Sequence, residues 1–199
     1  SETGHEIEIG FEKAFTRARV GFSAFYRELD DEVVLDPTIG FFGTNVNLDE
    51  TLRYGLELYL DYEAHESLDL MLDYTLVNAE IDYGANDGQT IPLIPSHQLN
   101  LGFDWHPIDY WTFIANVRYF SAYHAGGDFS NIAEELDGRV VVDLSVRYQL
   151  SETSELFAGI DNLTDKDYVS TAISDGIGTV VAFYPASGRS MKAGIRWRF

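Results

Sequence analysis

Met191-Lys192-Ala193-Gly194-Ile195-Arg196-Trp197-Arg198-Phe199 alternates apolar and polar to its last residue. One face reads Met191, Ala193, Ile195, Trp197 and Phe199, wholly apolar. The other carries Lys192, Gly194, Arg196 and Arg198, with three cations. Strict period 2 means a strand with two unlike faces. A soluble sandwich strand can show it. The length of the run and its recurrence along the chain point instead to a transmembrane β-strand, one face in lipid and the other on a wet lumen.

Eight more segments repeat the pattern. They lie at roughly 5–15, 18–29, 51–62, 67–81, 96–106, 109–122, 138–150 and 154–163, and the ninth is 188–199. In 51–62, Leu52, Tyr54, Leu56, Leu58 and Leu60 oppose Arg53, Glu57 and Asp61. Soluble strands average about five or six residues, and a tilted strand needs about nine to eleven to cross a bilayer. The connections alternate between short (16–17, 64–66, 107–108, 151–153) and long (30–50, 82–95, 123–137, 164–187). Short periplasmic turns and long outer loops are the pattern of outer-membrane barrels. Trp105, Tyr110, Trp111, Tyr148 and Trp197 gather near strand ends, as interfacial girdles require.

Nine is an odd count, whereas single-chain bacterial barrels have even numbers. Either a further strand lies in 32–36 or 177–184, or the chain is part of a larger barrel; the second reading is preferred. The 199 residues carry no cysteine and a formal charge of −20. The acidity argues against nucleic acid as a partner. The chain starts at Ser1 without an initiator Met or signal peptide, and so reads as a mature or excised piece.

Two stretches carry a family resemblance. Phe157–Val169 reads FAGIDNLTDKDYV and Tyr184–Phe199 reads YPASGRSMKAGIRWRF. Together they resemble the carboxy-terminal end of TonB-dependent outer-membrane receptors, in which a strand runs into Asn-Leu-Thr-Asp-Lys-x-Tyr. A loop follows, and Tyr-Pro-x-x-Gly-Arg then leads into the last strand and a terminal Phe. LRYGLELYLDYEAHESLDLMLDYTLVNAEI, IPLIPSHQLNLGFDW and GHEIEIGFE are similar to other strands of such barrels, so the resemblance covers nearly the whole chain. It implies an all-β fold of about nine antiparallel transmembrane strands, part of a 22-stranded barrel with a plug that residues 1–199 do not include. It also implies the outer membrane of a Gram-negative bacterium. The implied function is uptake of a scarce, bulky nutrient such as a ferric siderophore, cobalamin or a glycan. The implied partners are outer-membrane lipid and lipopolysaccharide, the TonB complex through the plug, and the barrel-assembly machinery, for which Trp197 and Phe199 would be the signal. A small self-contained barrel acting as a passive pore is the alternative.

Loop aromatics supply the candidate ligand contacts: Phe41, Phe42, Tyr83, Tyr123, His124, Phe129, Tyr168 and Tyr184. Such side chains offer large surface, several with a polar tip; loop-to-loop packing is the plainer use for them. Segments 30–50 and 123–137 hold ten carboxylates, among them Glu32 and Asp128, and no Lys or Arg. A cationic substrate or Ca²⁺ suits such clusters, and a solvated face is the bland reading. The lumen-facing charges read as ladders between strands. The five histidines are scattered, and neither His-Glu-x-x-His nor Gly-x-Ser-x-Gly occurs. The expected protein is therefore not an enzyme and has no dedicated metal centre.

Overall fold

The computed structural model describes residues 1–198. Phe199, half of the expected assembly signal, lies outside the described residues. The strands are β1 (Thr3–Ala14), β2 (Ala18–Asp36), β3 (Thr44–His65), β4 (Leu68–Ile81), β5 (His97–Trp105), β6 (Trp111–Phe120), β7 (Arg139–Ser151), β8 (Ser154–Asp161), β9 (Val169–Ser174), β10 (Val180–Pro185) and β11 (Ser190–Trp197). Nine of them form one antiparallel sheet in the order β1-β2-β3-β4-β5-β6-β7-β8-β11, while β9 and β10 form a separate two-stranded sheet. The nine alternating segments of the sequence are the nine strands of this sheet. Neither suspected extra strand adds to it. Residues 32–36 prolong β2, and 180–185 form β10 in the separate outer hairpin.

Register turns the alternation of each strand into two continuous faces. Phe11, Phe22, Leu58, Tyr74, Leu99, Tyr119 and Val140 sit side by side across seven strands. Toward the short-turn end, Trp111, Tyr148, Leu156 and Ile195 form another apolar row. Trp111 lies 4.8 Å from Tyr148 and 5.9 Å from Phe113, ring centre to ring centre, and builds the girdle at that end. The opposite face carries rows such as Gly21, Tyr59, Asp73, Asn100 and Arg118. Gly21 has a steric reason: a Cβ there would overlap the Tyr59 ring, which lies across the neighbouring strand.

The apolar face is not covered. Ile7 is 66% exposed and Ile195 65%. A sandwich would bury such rows against a second sheet. Here the two apolar clusters lie elsewhere, at the long-loop end. One joins Ala79, Ile81 and Ile91; the other joins Tyr123, Ala125, Leu136 and Ala172. The outward rows are therefore a lipid-type belt, as the alternation and strand length predict.

The polar face is laced by ion pairs between neighbouring strands. Arg27 meets Glu6 at 2.7 Å, Arg19 meets Asp61 at 3.1 Å, Arg118 meets Asp143 at 2.7 Å, Lys192 meets Asp161 at 2.9 Å and Arg196 meets Glu155 at 2.7 Å. These are the ladders expected of the lumen charges. Most of these side chains are about half-exposed, Asp143 and Glu155 less so; the pairs are individually worth little, but each ties one strand to the next.

The two faces predict opposite responses to charge. Leu58→Arg, in the middle of the apolar face, is expected to destabilise the full-length protein by about 2–4 kcal/mol in a bilayer, and Glu57→Lys, one residue away on the lumen face, by less than about 1 kcal/mol. Urea unfolding in lipid vesicles measures both. Equal losses would show that the faces are misassigned.

Candidate functional site

The long connections all leave one end of the sheet, and there they pack on one another. The expected free loop 30–50 is mostly strand: β2 and β3 stay paired through Glu32↔Leu48, Val34↔Val46 and Asp36↔Thr44. Only its tip, residues 37–43, is a turn. In the second connection Gly88 donates its N–H to the Ile81 carbonyl and Gln89 to that of Asn86, so 82–88 is a turn. The third and fourth are stitched together: Gly126 donates to Ala172 O at 2.9 Å and Ser174 to Gly126 O at 2.9 Å.

The candidate aromatics are not gathered into one pocket. Phe41 and Phe42 stand at the tip of the β2–β3 hairpin, 94% and 89% exposed, edge to face at 4.8 Å. Tyr83 and Tyr184 are exposed on two other segments. The other four take part in packing. Tyr123 is buried and donates its hydroxyl to the Ser170 carbonyl at 3.3 Å. Phe129 packs on the Ile81–Ile91 cluster. His124 is held between Asp128, 3.2 Å away, and Glu135, 3.5 Å away. Tyr168 lies against the Arg139 guanidinium at 5.1 Å, which also covers Phe120 at 4.6 Å and Tyr123 at 5.6 Å. Trp197 ends β11 at the short-turn side, exposed on the apolar face.

Several acidic residues expected to be solvated are committed instead. Asp128 is fully buried and accepts the backbone N–H of Ile132 and Ala133, each at 3.1 Å. It ties its own loop, a use that Asp serves by accepting from nearby backbone. Asp175 accepts from Thr179 and Ile177 N–H in the β9–β10 turn, and these bonds hold its carboxyl below the usual range. Among the described residues no three His, Asp or Glu side chains stand together so as to hold a metal ion. What remains open is a cavity of about 470 Å³ between the third and fourth connections. Leu136, Val169 and Phe183 supply its apolar lining; Glu134, Glu135, Asp137 and Asp167 supply acid, with the single cation Lys166 among them. Its lining is mixed polar and apolar, and its net negative charge favours a cation over an anion.

Glu32 is the other committed carboxylate. The backbone turns left-handed at Asp31 (φ 56°), and Glu32 then faces Arg53. Arg53 grips it with two bonds of 2.8 Å, and Thr51 Oγ1 adds a third at 2.6 Å. The two ionic side chains are only 16% and 15% exposed. Burial pushes the carboxyl up, but the bonds from Arg53 and Thr51 outweigh it, and the net direction is down. A lowered folded value means stabilisation that is complete above the ordinary glutamate range and is lost as pH falls through the folded value. Protection of the amides of residues 44–48, corrected for the intrinsic exchange rate, is therefore expected to hold through the ordinary glutamate range and to be lost only at lower pH. Glu32→Gln is expected to cost about 1–3 kcal/mol and to remove that acid step. An unchanged acid step in this variant would assign it to another group.

This two-faced sheet with a roof of packed loops has known counterparts. The family model described as TonB dependent receptor-like, beta-barrel, matches residues 1–163. The iron-regulated outer membrane virulence protein of Vibrio cholerae is 29% identical over 123 residues, 61% of this chain and 19% of that protein. The vitamin B12 transporter BtuB of Vibrio vulnificus is 25% identical over 202 residues, 100% of this chain and 30% of that protein. Among solved structures, the ferric yersiniabactin uptake receptor FyuA of Yersinia pestis superposes with a TM-score of 0.84 at 17% identity, over 100% of this chain and 30% of its own. The copper transporter OprC superposes with a TM-score of 0.79 at 20% identity, over 100% of this chain and 31% of its own. The chain thus spans less than a third of the length of these relatives. With the family match running through the first eight strands of the lipid-belted sheet, the chain belongs to the TonB-dependent receptor β-barrel family, non-enzymatic proteins of the Gram-negative outer membrane.

Proposed function

We propose that this chain is the carboxy-terminal part of the barrel of a TonB-dependent receptor that actively takes up a scarce, bulky nutrient: a ferric siderophore, cobalamin or a glycan. The observation that carries the reading is the open sheet. β1 and β11 each have one neighbour in the described pairing, yet a sheet with free edges does not persist in lipid, where every backbone group needs an internal partner. Further strands must close it, and 22-stranded plugged transporters supply them. A self-contained pore would instead need β1 to pair with β11.

On this reading the lumen ladders form one wall around a plug, TonB drives the uptake step through that plug, and the outer loops choose the cargo. The named relatives carry a ferric siderophore, vitamin B12 and copper, so kinship supports active import without selecting one compound. No bond is made or broken; selectivity is binding alone.

Growth-limited uptake tests this. Cells with the full-length gene or its deletion are offered iron chelates, cobalamin and oligosaccharides, with and without TonB. Loss of one compound on deletion, restored only with TonB, is the expected outcome and names the cargo. Unchanged uptake with altered passive permeability would overturn the proposal in favour of a pore.

A further inference from the structure

The β2–β3 hairpin does not stand upright from the wall. Below Asp31, odd-numbered β2 residues such as Arg19 and Arg27 face the lumen, where they meet Asp61 and Glu6. Above it, the left-handed Asp31 reverses the alternation, and Glu32 joins the lumen-facing Arg53. Leu48 on the partner strand packs against Ala79, Ile81 and Ile91. The extension therefore leans over the lumen. Its tip reaches the far side of the described sheet, where the Thr38 methyl meets two glycines from separate segments. A Cβ on Gly127, in the connection after β6, would lie 2.7 Å from Thr38 Cγ2 and 3.2 Å from Pro37 Cγ. A Cβ on Gly176, in the β9–β10 turn, would lie 3.5 Å from Thr38 Cγ2. Both glycines are left-handed, at φ 85° and 76°, which disfavours any side chain, and at Gly127 the lack of space does so as well. Thr38 is itself held, donating its N–H at 2.8 Å and its hydroxyl at 2.6 Å to Asp36 Oδ1. A second tie runs through Phe129, which packs on the same cluster as Leu48.

We propose that this hairpin is a fixed strap over the outer mouth, and that the seat of Thr38 on Gly127 and Gly176 limits the size of what reaches the lumen. Three restraints act along its length: the Glu32–Arg53 clamp at the base, unbroken pairing as far as Asp36↔Thr44, and the glycine seat at the tip. An element held at both ends spans the mouth whether or not cargo is present. What the strap admits rests on the receptor reading; its geometry does not.

The full-length protein in intact cells provides the test. The chain has no cysteine of its own. Exchange of the Thr44–Leu48 amides is expected to be slow without cargo and to quicken about tenfold in Thr38→Gly. Gln98→Cys, on the lumen face of β5 between the anchors, is expected to react with N-ethylmaleimide but not with a polyethylene-glycol maleimide. Gly127→Val overpacks the seat and should raise labelling by the large reagent about tenfold. Thr38→Gly empties the seat without adding bulk and should move labelling the same way, which keeps the test open if the valine variant fails to fold. Exchange of those amides that Thr38→Gly leaves unchanged, or large-reagent labelling indifferent to both seat variants, would each overturn the strap. None of these readouts uses cargo or TonB, so lost uptake beside an intact seat would count against the receptor reading alone.

Discussion

The constraint on which everything else depends is that hydrocarbon offers no hydrogen bonds. A strand that crosses lipid must pair both of its edges with protein. That single demand fixes the length of the strands, the unbroken register from β1 to β8 and on to β11, and the apolar rows that register assembles. It also explains where the buried apolar clusters are. The wall is one sheet thick, so its outward side chains have lipid rather than a second sheet for company. Tight apolar packing begins only where the strands leave the membrane and the loops must hold themselves together, around Ile81, Ile91, Tyr123 and Leu136.

The lumen face answers a different requirement. A wet wall tolerates charge, but a row of like charges on adjacent strands would push them apart. Arg27 beside Glu6, Arg118 beside Asp143 and Lys192 beside Asp161 resolve this strand by strand. The cost of ion-pair desolvation is small because water reaches most of these groups, and so is the gain. Arg53 and Glu32 differ because loop packing closes over them, and there a pair of charges fixes a direction as well as a distance.

The wall was legible from sequence because its determinants are local. Period 2, a run of ten or more residues and a short turn suffice to place Leu52–Leu60 on one face and Arg53–Asp61 on the other. The roof was not, because its determinants are tertiary. Nothing near Glu32 reveals that Arg53 will be its partner, since the reversal at Asp31 needs a left-handed residue that Asp only sometimes adopts. Thr38 lies in a turn that also carries Ile39, Phe41 and Phe42, and nothing local shows that Gly127 and Gly176 are brought beneath it. The Pro37-Thr38 turn after Asp36 and the Gly126-Gly127 pair were the available signals. Each marks a turn, and neither says that the two turns meet. Asp128 gave a fairer hint, since Asp followed closely by Ser130 and Asn131 is the composition of a self-tied loop.

The same distinction governs the acidity. Counted along the chain, segments 30–50 and 123–137 look like a strong, uncompensated negative field. In the structure Glu32 is neutralised by Arg53, Asp36 accepts from Thr38, Asp128 is spent on backbone N–H groups and Glu135 faces His124. The field that reaches an approaching molecule is therefore set by fewer groups: Asp30, Asp31, Asp49 and Glu50 on the β2–β3 hairpin, and Glu134, Asp137 and Asp167 at the open cavity, where Lys166 offsets part of the charge. Charge spent within the roof holds the mouth in shape, and charge left over on its surface acts on what arrives. Only the second kind steers association, and telling the two apart requires the fold.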